Sequence, residues 1–264
     1  MINKIYNIFS TVLKSKQIGS RKDRFIKIFD ILRVHFLITL LKKEIIYEWV
    51  NGSKFFLKKG QYSLTGNVYY KYYEYEPMYF LMSNLTSNDV LLDIGANLGS
   101  YSILALSRKS KVISIEPDDK TYSDLIRNLE LNADNSNYQA IKACISEKIG
   151  ETMFTKGLGE ENKIIEQKGN HKYEIVSTET LDSMNFKFKP TYLKIDVEGH
   201  ELSVLKGAVN FFKKYNIKGI IIETSNLIVH EMLISLGFNL IELKEGVFVE
   251  SKNFKQGTLV YNKF

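Results

Sequence analysis

The stretch Val90-Leu-Leu-Asp93-Ile-Gly95-Ala-Asn97-Leu-Gly99-Ser-Tyr-Ser102 constrains the fold more than any other part of this chain. A short apolar run leads into an acid, then a turn of small residues. An apolar-periodic stretch marked by Tyr101, Ile103, Leu104 and Leu106 follows. The pattern predicts a buried strand, a tight turn and the N-terminus of a helix. Glycines at the turn let the backbone bend sharply and approach a ligand closely, which a Cβ would obstruct. Such a turn at the carboxyl end of a strand suits a nucleotide-like ligand.

The alternation continues downstream. Lys111-Val-Ile-Ser-Ile-Glu116 reads as a strand before a helix over 119–132, and 138–145 as another strand. A less regular region, 147–180, holds Gly150, Gly157, Gly159 and Gly169 and predicts a short hairpin. Then come the strand Thr191–Asp196, a helix from Glu201, the very apolar strand Ile217–Glu223, and a helix over 227–236 stopped by Gly237. Strands over 238–243 and 257–262 close the chain as an antiparallel pair. Near-continuous apolar strands alternating with helices mean an α/β fold on a buried, mostly parallel sheet.

Upstream, residues 1–43 read as helical, 44–73 as β-prone runs, and 76–85 as a helix. Asn51-Gly52 between two such runs is a strong hairpin signal. The expected organisation is a basic helical extension (1–45), a β-hairpin lead-in (46–75) and one α/β domain (76–264). The Tyr-rich stretch Tyr69–Tyr79 is read as core and pocket wall.

Charge separates the extension from the domain. Residues 1–60 carry 13 Lys and Arg against 4 Asp and Glu, while the remainder carries 23 against 26. The basic leader suits an anionic membrane surface or an acidic partner. Phe25–Leu41 is apolar, but Lys27, Asp30 and Arg33 interrupt it at helical spacing, which predicts an amphipathic helix rather than a membrane span. The slightly acidic domain, without aromatic–basic alternation, argues against nucleic acid as partner. The single cysteine, Cys144, excludes an intramolecular disulfide framework and a cysteine zinc cluster and fits a reducing compartment. The expected location is the cytoplasm, with the leader able to touch the inner face of the membrane.

Two further positions carry chemistry. Glu116 ends the strand after the central one, where a carboxylate can accept hydrogen bonds from both hydroxyls of a ribose. Asp196, Glu198, His200 and Glu201 crowd the carboxyl end of a strand expected beside the central one. Acids so close repel one another unless they are paired, protonated or bound to a cation. For Glu201 the competing reading is a helix-start acid. Lys194, inside an apolar strand, is a candidate partner for these acids.

The segments Asp93-Ile-Gly-Ala-Asn-Leu-Gly99, Ile115-Glu-Pro117, Thr180-Leu-Asp182 and Leu193-Lys-Ile-Asp-Val-Glu-Gly-His-Glu201 with Val204-Leu-Lys-Gly-Ala208 resemble, in order and spacing, the FkbM family of S-adenosylmethionine-dependent methyltransferases. The resemblance covers residues 60–264 and leaves out 1–45. It implies a Rossmann-like class I methyltransferase with a seven-stranded sheet of order 3-2-1-4-5-7-6, the seventh strand antiparallel, and helices on both faces. It also implies that Asp93, Gly95, Ala96, Asn97 and Gly99 frame the methionine part of the cofactor, that Glu116 and Pro117 hold its nucleoside, and that Tyr101 and Ser102 line the same pocket. The family's usual reaction is methylation of a hydroxyl on a sugar, glycan or secondary metabolite.

For such a reaction Asp196 is the first candidate to orient and deprotonate the hydroxyl, with Glu198 and His200 next. Asp196, Glu223 and Asn226, at two neighbouring strand ends, are the residues that would hold Mg²⁺ in a metal-assisted variant. Two other readings share the cofactor logic: a nicotinamide-dependent oxidoreductase, which the spacing around Gly95 argues against, and a non-catalytic nucleoside-binding or scaffold protein.

Overall fold

Strands that are apolar along their whole length build the centre of the molecule, seen here in a computed structural model. The structure describes residues 9, 10, 12, 13, 19–159, 162–165, 167 and 172–263. Much of the predicted helix before residue 19, and Gly169, lie outside the described residues. In chain order the elements are helix α1 (Arg21–His35), continued by a π-helical turn at Phe36–Leu40, strands β1 (Ile45–Glu48) and β2 (Lys54–Leu57), and helices α2 (Tyr62–Tyr70) and α3 (Tyr75–Asn84). Next come β3 (Val90–Ile94), α4 (Ser100–Ser107), β4 (Lys111–Ile115), α5 (Asp119–Glu130), β5 (Tyr138–Ile141) and β6 (Cys144–Ile145). After them lie β7 (Gly150–Thr155), β8 (Ile164–Ile165), β9 (Tyr173–Glu179), β10 (Tyr192–Ile195), α6 (Glu201–Lys206) and α7 (Val209–Lys214). Last are β11 (Gly219–Thr224), α8 (Leu227–Ser235), β12 (Asn239–Lys244), β13 (Val247–Glu250) and β14 (Gly257–Asn262).

The main sheet has the order β13-β12-β14-β11-β10-β3-β4-β5. Strands β5, β4, β3, β10 and β11 run parallel, and β14 lies antiparallel between β11 and β12. The sheet thus has eight strands where seven were expected. The eighth is β13, joined to β12 by a turn whose Glu245 and Gly246 are both left-handed. Its Val247-Phe-Val run is β-prone, but a four-residue edge strand is too short to show a period. The expected pair of closing strands does form between β12 and β14, but β12 also pairs with β13. Two buried apolar clusters fill the two faces: one includes Leu92, Leu193, Phe211 and Phe238, the other Phe80, Leu81, Leu91, Leu104 and Leu125.

Two regions differ from expectation. Residues 62–70 form helix α2, not a strand. Leu64 and Val68 are buried one turn apart, so packing overrides the β preference of the surrounding tyrosines and valine. The region 147–180 is more regular than a hairpin: β6, β7, β8 and β9 make a second sheet of order β6-β9-β7-β8.

The predicted hairpin is present at β1 and β2, with Asn51 and Gly52 both left-handed at its turn, as an Asn-Gly pair allows. It joins α1 to the domain through a third cluster that includes Ile31, Val34, Phe55, Leu57 and Leu64 and reaches Leu98 and Ile103. Asn128 of α5 fixes the join: its amide donates to the Leu98 carbonyl at 2.8 Å and accepts the Phe56 N–H at 2.8 Å. Asn128 is buried, so Asn128→Ala leaves two backbone groups without partners. Chemical denaturation is expected to show a loss of about 2–4 kcal/mol. Among the described residues no helix is long and apolar enough to cross a membrane.

Candidate active site

The turn after β3 lies at the carboxyl edge of the parallel strands. Gly95 and Ala96 donate their N–H groups to the Ile115 carbonyl at 3.0 and 2.9 Å, which ties the turn to the end of β4. Gly95 has a φ of +74°, and a Cβ there would lie 1.8 Å from the Asp196 carbonyl oxygen. Only glycine lets these two strand ends meet. Gly99 caps α4 in the left-handed region, facing Leu125. The turn forms one wall of a cleft at this edge of the sheet.

Gly95, Asn97, Glu116 and Pro117 line this cleft from the first strands, and Asp196 and Glu198 from the loop after β10. Asp93, Ala96, Gly99, Tyr101 and Ser102 do not. The buried Asp93 lies beneath the turn, where the Ser102 hydroxyl donates to it at 2.7 Å and also meets the Ser114 hydroxyl at 2.7 Å. Asp93 and Ser102 thus brace the turn from below. Sequence reasoning missed the opposite wall, formed by Cys144, Phe154, Gly159, Asn162 and Ile164 of the second sheet and its loop.

Glu116 accepts the Asn97 N–H at 2.9 Å and the Asp118 N–H at 3.0 Å. Burial pushes its carboxyl up to about 7. The buried side-chain oxygen Oδ1 of Asn97 has no hydrogen-bond partner, and the same holds for one oxygen of Asp93. Such atoms are rare in folded proteins and call for a donor from elsewhere. A glycine turn permitting close approach, a carboxylate with further acceptor capacity, an orphaned amide oxygen and apolar walls fit a nucleoside carrying an amino-acid tail.

A second group of side chains gathers beside the cleft. Lys194, buried on β10, pairs with Asp93 across the ladder and donates to Asp196 at 2.5 Å. Its ammonium stands 5.0 Å from the centre of the Tyr101 ring. Burial works against its charge, but Asp196, Asp93 and Glu74 together outweigh that and raise its pKa. Glu74, between α2 and α3, accepts the Tyr101 hydroxyl at 2.9 Å and the Thr258 hydroxyl at 2.6 Å. Thr258 faces Glu223 across β14 and β11. One ammonium cannot compensate four carboxyls. Burial raises Asp93, and partial burial followed by the charges of Asp196 and Glu74 pushes Glu223 up to about 7. The sequence signal for Glu74 was an acid inside the tyrosine-rich pocket wall.

The other predicted site residues divide. Glu198 has a left-handed backbone and reaches the cleft. The His200 ring is held at 2.9 Å by the Ser146 hydroxyl, and His200 does not line the cleft. Glu201 is buried and accepts the N–H groups of Gly199 at 2.9 Å and Val197 at 3.4 Å, so it closes the turn that leads into α6. The suggested Mg²⁺ ligands are engaged otherwise: Asn226 caps α8 by accepting the Ile228 N–H at 2.9 Å, and Asp196 is paired with Lys194. Among the described residues no three His, Cys, Asp or Glu side chains are gathered as a metal site. Lys194 supplies the positive charge at this spot.

The family description "Methyltransferase FkbM domain" matches residues 93–240, more than half of the chain. This chain belongs to the FkbM methyltransferase family. The matched span runs from the acid beneath the glycine turn to β12, so it takes in Glu116, Lys194, Asp196 and Glu223 and leaves out Glu74 and Thr258. This FkbM-family chain is 28% identical to the hexuronic acid methyltransferase AglP of Haloferax volcanii over 151 residues, 54% of this chain and 59% of that protein. It is 30% identical to the methyltransferase sdnD of Sordaria araneosa over 163 residues, 48% of this chain and 62% of that one. The chain thus spans about three-fifths of the length of these curated relatives. Among solved structures, an rRNA methylase from Streptococcus thermophilus is similar over 71% of this chain and 93% of its own, at 13% identity and a TM-score of 0.42. M. capricolum TrmK in complex with S-adenosyl-homocysteine is similar over 71% and 67%, at 12% identity and a TM-score of 0.41.

Proposed function

We propose that this protein is an S-adenosylmethionine-dependent O-methyltransferase acting on a hydroxyl of a sugar, glycan or secondary metabolite. The observation that carries the reading is the juxtaposition of a cleft lined by Glu116 and Asn97 with the Lys194–Asp196 pair across the Gly95 contact. When bound, S-adenosylmethionine supplies an electrophilic methyl on a sulfonium. Glu116 would hold its ribose hydroxyls, Gly95 and Asn97 its amino-acid tail, and Pro117, Phe154 and Ile164 its base.

The chain's own part in the reaction is to place a hydroxyl and take its proton. Lys194 fixes Asp196 through one carboxylate oxygen, leaving the carboxylate able to accept the proton of an alcohol. Glu223, one strand over, is poised near neutrality to carry a proton onward. Asp196, Glu223 and Glu74 outnumber the single ammonium, so this floor suits the neutral hydroxyl of an acceptor, with any carboxylate the acceptor carries held away from it. The hexuronic acid methyltransferase among the relatives supports a sugar as the acceptor class.

Cofactor binding has a pH signature. Below about 7 burial keeps Glu116 protonated in the ligand-free protein, while ribose hydroxyl donors favour its ionised form. Affinity for S-adenosylhomocysteine is therefore expected to rise as pH is raised through about 7, with release of a proton, by up to about tenfold per unit. Glu116→Gln should weaken binding roughly tenfold to a hundredfold and flatten that dependence, as read by calorimetry in buffers of different ionisation enthalpy.

The reading as a whole is tested with methyl-labelled S-adenosylmethionine and a panel of uronic-acid and neutral glycosides. Label is expected in a product that survives mild alkali, as a methyl ether does. Label released by alkali would mark a carboxyl ester and overturn hydroxyl transfer.

A further inference from the structure

Helix α1 is apolar on two opposite faces. Ile31 and Val34, with Ile38 in the following turn, are buried against the hairpin. On the other side Phe25, Phe29, Leu32 and Phe36 stand exposed. At 3.6 residues per turn these four side chains point within about 60° of one another, on the face away from Ile31 and Val34. Leu40 and Leu41 extend the exposed stripe, and its most open members are Phe29 at 71% and Leu40 at 69% exposure. A run of large apolar side chains this exposed on an otherwise charged helix marks an interaction surface.

The stripe is bordered by cations. Arg21, Lys22 and Arg24 sit at its start, Arg33 along its flank, and Lys42 and Lys43 beyond its end. The two acids of the segment are already engaged. Asp23 closes a capping box with Ser20, and Asp30 is paired with Arg33 at 2.8 Å and accepts the Tyr47 hydroxyl at 2.6 Å. The preceding sequence adds Lys4, Lys14 and Lys16 and no acid.

We propose that this face docks onto an anionic lipid bilayer, with the apolar stripe in the headgroup boundary and the bordering cations against lipid phosphates. A second copy of the chain suits the face poorly, because a two-fold interface would bring this basic border against itself. The proposal rests on α1 alone and stands apart from the methyl-transfer reading.

Flotation of the full chain with vesicles of phosphatidylcholine and phosphatidylglycerol in equal parts tests it. The protein is expected to float with these vesicles at low salt and to bind pure phosphatidylcholine vesicles at least about tenfold more weakly. Phe29→Ser with Leu40→Ser should lower affinity for the mixed vesicles at least about tenfold and leave the circular dichroism and thermal melt unchanged, since both side chains are exposed. If that pair fails to melt like the parent, Phe25→Ser with Phe36→Ser provides the same test. Failure of the intact protein to float with mixed vesicles overturns the proposal, and so does a folded double variant that binds them as the parent does. A concentration-dependent dimer in sedimentation that the double variant dissolves would also overturn it, by assigning the face to a second copy.

Discussion

Gly95→Ala is expected to abolish cofactor binding. The added Cβ would sit 1.8 Å from the Asp196 carbonyl oxygen and 2.9 Å from its carbonyl carbon, and both are backbone atoms that cannot swing aside. Either the turn after β3 or the loop after β10 must move, and the cleft is built from both. Affinity for S-adenosylhomocysteine should fall more than about a hundredfold, with a lowered melting temperature. Gly199→Ala is the control. Gly199 also has a positive φ, +97°, but a Cβ there meets nothing within 4 Å. That variant should lose only about 1–2 kcal/mol of stability from backbone strain and keep its cofactor. Equal binding losses in the two variants would show that strain, not the contact with Asp196, governs the site.

Asp196→Asn is expected to separate chemistry from binding. The amide cannot take a proton, so turnover should fall roughly a hundred- to ten-thousandfold. The affinity for S-adenosylhomocysteine should change much less, because asparagine keeps the shape of Asp196 in the cleft lining and Glu116, Asn97 and the second sheet are untouched. The change also strands the buried Lys194 ammonium with Asp93 and Glu74, which moves the proton balance of the cluster. The pH profile of the residual activity should therefore shift along with its height. A variant with parental turnover would remove Asp196 from the proton path, leaving Glu223 and Glu198 as the acids that could serve.

The parts of the site legible in the sequence were those encoded locally. Asp93 to Gly99 is a strand, turn and helix start in consecutive residues, and Glu116 ends the next strand, so both could be placed by periodicity and glycine position alone. The acids after β10 were legible as a crowd but not as individuals. Asp196 takes the lysine, Glu201 closes the turn and His200 turns to Ser146, and these choices are set by partners 2 to 54 residues apart in the chain. Glu74 and Thr258 were missed because 184 residues separate them, and only the sheet order brings β14 beside β11. The wall at Ile164 was missed because a two-residue strand such as β8 has no period to read, and Phe154 because β7 lies in the glycine-interrupted region read only as a hairpin. At α2 local propensity pointed to strand. The buried Asn67, which donates to the Ser100 hydroxyl at 3.1 Å and accepts the Tyr73 N–H at 2.9 Å, shows what the helix gains in place.

Calorimetric titration of the full chain with S-adenosylhomocysteine, with NAD run in parallel, tests the central claim most directly. One molecule of S-adenosylhomocysteine should bind per chain with micromolar-order affinity, weakened by Glu116→Gln, while NAD gives no heat. Absence of S-adenosylhomocysteine binding by folded protein, or binding that Glu116→Gln leaves untouched, would contradict the account.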